Sequence, residues 1–444
     1  MTAAAWWLIV LALAGVGLLV GLVTWARLNA FLALLAAALL VGAGSRQPML
    51  EVAKDFQEGM GAMLGGVAGV ICLGTMLGKL LAESRGAEVL AKEFALFFGP
   101  RRIGLCVMAL ALVVGLTTWF AVGLILLSPI LHALTRETRR PLLHLALPVL
   151  ACLSVMQGFM PPHPGPIMAI NAFHANTGLV LLWGFALGLP TAIIAGPVFA
   201  RMADRYVPLA ADTLAPSPPH SGVDRPGFRL TLFSMLLPVG LMLLAALADV
   251  ALGPGRWRAL ADFVGHPTVA LFIAVLFGHW SLGVRCGFGA AQLLKFTEES
   301  VAGVGMVLLI VGGGGGFARV LQTTGVAGAM GTMATAAHLS PLLYGWLVAA
   351  FIRVATGSAT VAITAASALL APVLAAHPGV NTELAVIAVG CGSLFLSHLN
   401  DSGFWIVKDC LRLTVAQTLR TWTLCETIIG LAGLALTLLA GALI

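Results

Sequence analysis

The stretch 6–23 contains no charged residue, and stretches of the same kind recur along the chain, 230–247 among them. Such a segment cannot face water over its whole length. Roughly 20 apolar residues, at 1.5 Å rise each, are what a helix needs to cross a hydrocarbon core about 30 Å thick. Of the 444 residues, 60% are hydrophobic and 9% charged, against about 25% charged in a soluble domain, and the mean hydropathy is +1.02. The strands of a membrane β-barrel alternate lipid-facing and lumen-facing residues, and these runs do not alternate, which excludes a porin-like barrel. The chain reads as an all-α polytopic membrane protein, with room for roughly 10–13 membrane segments joined by short connections.

The net charge of +6 is spread over the connections without forming a basic cluster, which fits a positive-inside bias and gives no footprint for nucleic acid. The seven cysteines stand singly, mostly within apolar runs and without a C-x-x-C pair. They read as packing residues, so neither a disulfide, a metal site nor a cofactor is expected. The N-terminus has no basic stretch ahead of its first apolar run and no evident cleavage site, so that run is expected to be a retained span.

Charged and proline-rich stretches at 45–59, 83–102, 135–144, 201–229, 253–266 and 285–300 read as aqueous loops. The longest carries linker composition, Ala215-Pro216-Ser217-Pro218-Pro219-His220-Ser221-Gly222, close to the midpoint. It divides the chain into a first transmembrane repeat, 1–200, an inter-repeat loop, 201–228, and a second repeat, 229–444. The halves share landmarks at a nearly constant offset: Phe56 and Phe296 are 240 apart (296 minus 56), Gly86 and Gly325 239, Pro100 and Pro341 241, and Pro161 and Asn400 239. A duplication is the economical reading, with the two repeats expected to be inverted.

Each half also carries two interruptions of its apolar pattern. They fall at Leu116-Thr117-Thr118-Trp119 and Met160-Pro161-Pro162-His163-Pro164-Gly165-Pro166 in the first half, and at Ala355-Thr356-Gly357-Ser358-Ala359-Thr360 and Ser397-His398-Leu399-Asn400-Asp401-Ser402-Gly403 in the second. Non-helical backbone at membrane depth survives only where protein buries it or a cavity lines it. Paired breaks in corresponding positions point to a transporter's substrate site, because half-helix N-termini present N–H groups and a positive dipole end to an anion. All four breaks are expected around one central cavity.

The same segments resemble the gluconate permease family, the gluconate:proton symporters of the wider ion-transporter superfamily. The resemblance rests on Leu77-Gly78-Lys79-Leu80-Leu81-Ala82-Glu83, the Pro-Pro-His-Pro-Gly-Pro run, the glycines 312–316 with Phe317, Gly357-Ser358-Ala359-Thr360-Val361-Ala362, and Ser397-His398-Leu399-Asn400-Asp401-Ser402-Gly403-Phe404-Trp405. It implies uptake of gluconate or a related small sugar acid across the inner (cytoplasmic) membrane, driven by protons. It further implies inverted repeats with re-entrant hairpins, an elevator-like motion and a possible homodimer. One departure bears on coupling. Where the family carries an acidic residue in an aromatic–aromatic–acidic–Val–Gly stretch, this chain reads Trp119-Phe120-Ala121-Val122-Gly123. If that family carboxylate takes the coupling proton, Ala121 removes it and proton-driven accumulation is expected to be poor; if accumulation persists, Asp401 or His163 is first in line to carry the proton, and an uncoupled or sodium-coupled carrier is the alternative.

Asp401 is the foremost substrate-binding and proton-coupling candidate, because a carboxylate in an apolar segment costs about 2.5–3.5 kcal/mol on insertion scales. Asn400 or Asp401 could equally cap a restarting helix, a role that overlaps with anion binding at the same N-terminus. His163, between two prolines, and His398, near the matching break, could bond a carboxylate or exchange a proton; either could instead bond a freed carbonyl. Ser358, Thr360, Ser402 and, less directly, Thr117 and Thr118 offer hydroxyls suited to a polyol acid, or could bond back to their own helices. Gly165 would let a substrate approach the backbone. Arg353 could fork onto a substrate carboxylate, pair with Glu426 or reach the interface. The glycines 312–316 lack the Gly-Lys-Ser/Thr of a phosphate loop and suit close helix approach or a hinge, and Lys79 with Glu83 suits a pair near a helix end. A channel, or an intramembrane enzyme using His398 and Asp401, are the readings from other classes; no activated nucleophile accompanies that pair.

Overall fold

The computed structural model describes residues 3–99, 102–116, 118–207, 225–253, 255–326, 329, 340–399 and 401–444. Pro100, Thr117, Asn400 and 208–224, each part of an expectation above, lie outside the described residues. Among the described residues every regular element is helical, as a chain must be that satisfies its backbone within lipid. Seven helices are long and apolar enough to span a membrane, and the helix Met49–Glu83, bent by 42°, gives an eighth. The remaining apolar helices are 10–17 residues long. The count of roughly 10–13 segments expected from run lengths treats these shorter helices as segments of their own.

The charged stretches are less loop-like than expected. Met49–Glu83 begins inside 45–59, Gly86–Phe98 fills most of 83–102, Arg256–Gly265 fills most of 253–266, and Ala290–Ala302 takes up 290–300. The expected inter-repeat loop also starts late, since the helix Phe199–Tyr206 runs into it. Charge marks a face turned toward water, and a helix can carry such a face as readily as a loop can.

Shorter helices, together with the span Leu142–Phe173 divided at its prolines, build the centre. In the first half they are α1 (Ile103–Gly115), α2 (Phe120–Thr138), α3 (Leu142–Phe159) and α4 (Pro164–Phe173). In the second they are α5 (Pro341–Thr356), α6 (Ala359–Ala375), α7 (Thr382–Leu394) and α8 (Ser402–Cys410). Helix α9 (Leu424–Leu443) follows. The breaks fall where the sequence places them, each for a local reason. Pro161 and Pro162 offer no N–H and disfavour helix in the residue before them. Gly357 stops α5 at φ +71°, the left-handed region that glycine enters without penalty. Ser358 then restarts the chain as the N-cap of α6, its Oγ accepting from the Val361 N–H at 3.3 Å. Asp401 does the same for α8, accepting from the Gly403 N–H at 2.7 Å.

Helices α3 and α7 are buried along nearly their whole length, and they cross where two glycines meet. A Cβ on Gly390 would lie 2.2 Å from the Gly158 carbonyl oxygen. The glycine-rich helix Gly305–Thr323 meets Met49–Glu83 in the same manner, the Cβ position of Gly315 lying 2.5 Å from the Gly59 carbonyl oxygen. The 312–316 run therefore serves close approach. The halves are joined at the end of α8, where the Cys410 carbonyl accepts from Ser128 Oγ at 2.9 Å and His132 Nε2 at 3.0 Å, both on α2. Gly390→Ala is expected to cost about 1–3 kcal/mol by overpacking against backbone that cannot rotate away, read as a lowered unfolding midpoint in detergent.

Candidate functional site

The N-terminal turns of α2, α6 and α8 converge on a cavity of about 270 Å³, lined by Trp119, Phe120 and Ala121, by Ser358, Ala359 and Thr360, and by Asp401, Ser402 and Gly403. The start of α4, at Pro164 and Gly165, lines a side cavity of about 20 Å³ that shares Trp119, Gln157 and Thr360 with the larger one. Four interruptions separated by up to 280 residues of chain are thus neighbours, and each offers the positive end of a helix dipole. Val307 and Ile310, from the helix Gly305–Thr323, give an apolar wall. The volume lies at the low end of the ~300–1,000 Å³ typical of small-molecule pockets, which suits a small solute.

A buried ion pair holds the second half's two breaks together. Arg353, on the last turn of α5, donates from Nη1 to the Gly357 carbonyl and from Nη2 to Asp401 Oδ2, each at 2.5 Å. Asp401 Oδ2 also accepts from Ser397 Oγ, whose own partner is the Trp422 indole N–H at 2.7 Å. Arg353 and Asp401 are 3% and 7% exposed, so water does little to weaken the pair. Among the described residues the Gly403 N–H, the Arg353 guanidinium and the Ser397 hydroxyl all donate to the Asp401 carboxylate. Of the protein partners, Arg353 thus pairs with Asp401 rather than with Glu426. The pairing makes Asp401 foremost a cap and counter-ion, with its neighbours Ser402 and Gly403 lining the cavity.

The first half uses neutral groups. Gln157, on α3, accepts the Phe120 N–H at 2.8 Å and so caps α2 with a side chain remote in sequence. His163 is 4% exposed and its Nε2 lies 2.6 Å from the Gly115 carbonyl; since a carbonyl can only accept, Nε2 carries the proton.

Of the residues singled out from sequence, Ala121, Ser358, Thr360, Asp401 and Ser402 line the main cavity and Gly165 the side cavity. Three do not. His163 spends its ring on Gly115, Thr118 bonds back to the Val114 carbonyl at 2.8 Å, and His398 Nε2 lies 3.1 Å from the Val354 carbonyl. His163 and His398 each bond a carbonyl at the end of the helix before a break, while the Thr118 hydroxyl bonds back to a carbonyl that also accepts its own backbone N–H. Lys79 forms the expected pair with Glu83 at 2.8 Å and a second with Glu299 at 3.0 Å. Sequence reasoning missed Ser154 and Gln157 of α3 and Glu426 of α9, which all line the cavity. The available signal was the one applied to Asp401, a polar or acidic residue inside an apolar run.

Broken helices whose N-termini surround a small cavity, within a bundle of membrane-spanning helices, are an arrangement that membrane transporters use. A family model described as GntP family permease matches residues 7–444, and the chain belongs to that family. It is 42% identical over 430 residues to a gluconate permease of Pseudomonas aeruginosa, covering 96% of this chain and 95% of that one. It is 39% identical over 423 residues to the Gnt-II system L-idonate transporter of Escherichia coli, covering 95% and 96%. To the Escherichia coli D-serine transporter DsdX it is 31% identical over 444 residues, covering 99% of each. Among solved structures the fold is shared with MtrF of Neisseria gonorrhoeae (TM-score 0.64, 16% identity, 88% of this chain and 83% of that one). It is shared too with the YdaH transporter of Alcanivorax borkumensis (TM-score 0.60, 16% identity, 86% and 87%). The chain is a multi-span membrane transporter.

Asp401→Ala leaves the Arg353 guanidinium buried without its counter-ion and is expected to cost about 3–5 kcal/mol, measured as loss of thermal stability in detergent. Pairing it with Arg353→Met should recover much of that loss.

Proposed function

We propose that this protein imports gluconate or a related small sugar acid by proton symport across the inner (cytoplasmic) membrane. The observation that carries the reading is the meeting of three half-helix N-termini with the hydroxyls of Ser358, Thr360 and Ser402 and the amide of Gln157 around one cavity. A sugar acid is an anion at one end and a row of hydroxyls along the rest. Helix N-termini favour the carboxylate, and the Ser, Thr and Gln side chains can both donate to and accept from hydroxyls. The names of the nearest-matching relatives reported above, gluconate and L-idonate transporters, support the same substrate class.

The transport cycle in this reading moves the unit bearing the broken helices against the remaining scaffold, the two halves acting as inverted repeats. Support comes from helix starts at a near-constant spacing: Phe120 and Ala359 are 239 apart, Leu142 and Thr382 240, and Pro164 and Ser402 238.

The test is counterflow in proteoliposomes, with gluconate, L-idonate and D-serine as competing solutes. Saturable, stereoselective exchange of a sugar acid and its accumulation under an inward proton gradient are expected; linear, non-saturating flux would mark a channel and sink the proposal. In a thermal-shift titration, gluconate at 100 times its Kd should add about 2.7 kcal/mol of stability. Thr360→Val should weaken gluconate binding by about 0.5–1.5 kcal/mol through one lost hydrogen bond while moving apo stability less. An equal fall in apo stability with affinity intact would assign the hydroxyl to the helix.

A further inference from the structure

Two carboxylates line the central cavity among the described residues, and they are differently engaged. Asp401 spends both oxygens, Oδ1 on the Gly403 N–H and Oδ2 on Arg353 and Ser397. Glu426 comes from the first turn of the otherwise apolar helix α9 and is 1% exposed. Ser154 lies beside it, and its Oε1 has no partner among the described residues. A buried ionised oxygen without a partner is costly. A protonated one is a neutral donor that lacks an acceptor, and the cavity is where a substrate oxygen would supply it.

We propose that Glu426 takes up the coupling proton at Oε1 when a sugar-acid anion enters the cavity, and gives it back to water when the anion leaves. This rests on the sugar-acid reading above. One O–H bond forms on entry and the same bond breaks on exit; no covalent bond of the substrate changes.

The charges around Glu426 give the coupling its sign. Arg353 of α5 and Asp401 at the start of α8 face it and offset one another. The elements packed against α9 also carry His144 and Cys152 on α3, Glu383 and Cys391 on α7, Tyr344 on α5, Arg420 just before α9 and Cys425 beside Glu426; the lining of the cavity includes none of these side chains. With Glu426 ionised, the three charged side chains sum to −1, and a monoanionic substrate brings the site to −2. With Glu426 protonated, the same substrate brings it only to −1. Anion and proton therefore favour one another's binding, and by linkage each raises the other's affinity by the same factor. Asp401 cannot play this part without giving up its pair with Arg353. His163, turned to the Gly115 carbonyl, does not reach the cavity. Ala121 lines the same cavity and has nothing to titrate, while Glu426, from another helix, brings a carboxyl to it.

The experiment is isothermal titration of the full chain with gluconate in buffers of different ionisation enthalpy, across a range of pH. The native chain should take up close to one proton per gluconate where the unliganded Glu426 is ionised, with affinity falling about tenfold per pH unit in that range. Glu426→Gln should take up none, bind gluconate with an affinity independent of pH, and fail to accumulate it under an inward proton gradient. Proton uptake that persists undiminished in Glu426→Gln overturns the proposal. Should that variant not fold, infrared difference spectra of the native chain decide. A protonated-carboxyl band that appears on gluconate binding should shift with ¹³C-glutamate, and a shift with ¹³C-aspartate instead overturns the assignment. Absence of any gluconate heat or counterflow in the native chain is the separate failure of the substrate reading, and the Glu426 proposal falls with it.

Discussion

The buried pair between Arg353 and Asp401 joins the two interruptions of the second half. From one guanidinium, one branch closes the end of α5 through the Gly357 carbonyl and another reaches the cap of α8. An interrupted helix inside a membrane protein leaves N–H and C=O groups that water cannot reach, and each must be answered by a side chain or by another strand of backbone. The pair answers both breaks at once and fixes their separation. The cavity between α6 and α8 has a defined width for that reason.

The first half solves the same problem without charge. His163, at the start of α4, donates to the Gly115 carbonyl at the end of α1, so that here too the second break bonds the first. Gln157 caps α2 across a tight turn of the chain. Neutral groups suffice where one carbonyl and one N–H are to be satisfied, and they avoid the cost of burying ions, which a salt bridge recovers only with good geometry. The site thus has a charged wall from the second half and a neutral, hydrogen-bonding wall from the first. Helix N-termini from both halves line the space between them, and the guanidinium there is already committed to Asp401.

Packing by glycine sets the stage for this arrangement. Gly158 and Gly390 bring α3 and α7 into backbone contact, which places Gln157 and Ser154 beside the breaks. The apolar wall is held in the same way, since the Gly305–Thr323 helix lies against Met49–Glu83 through glycines on both. In lipid, where apolar association gains little from leaving water, close approach of small residues is the main source of helix–helix affinity.

The sequence alone determined the class of protein and the positions of all four breaks, because long charge-free runs and Pro, Gly or polar interruptions act locally, through solvation and backbone dihedrals. It also marked Ser358, Thr360, Asp401 and Ser402, which sit at helix starts where capping residues are legible. It misread the charged stretches as loops, since the same composition serves a loop or the wet face of a helix. For His163, His398 and Thr118 it left a substrate and a backbone carbonyl both open, and in the structure each bonds a carbonyl, because a side chain next to a break has the same sequence signature whichever way it points. Which polar groups meet was left to the tertiary structure. Arg353 finds Asp401 at 48 residues' separation, Gln157 finds Phe120 at 37, and Glu426 shares a cavity with Ala121 from the far end of the chain. Those meetings depend on how whole helices cross, and helix crossing is set by the summed packing of many residues, which no local pattern encodes.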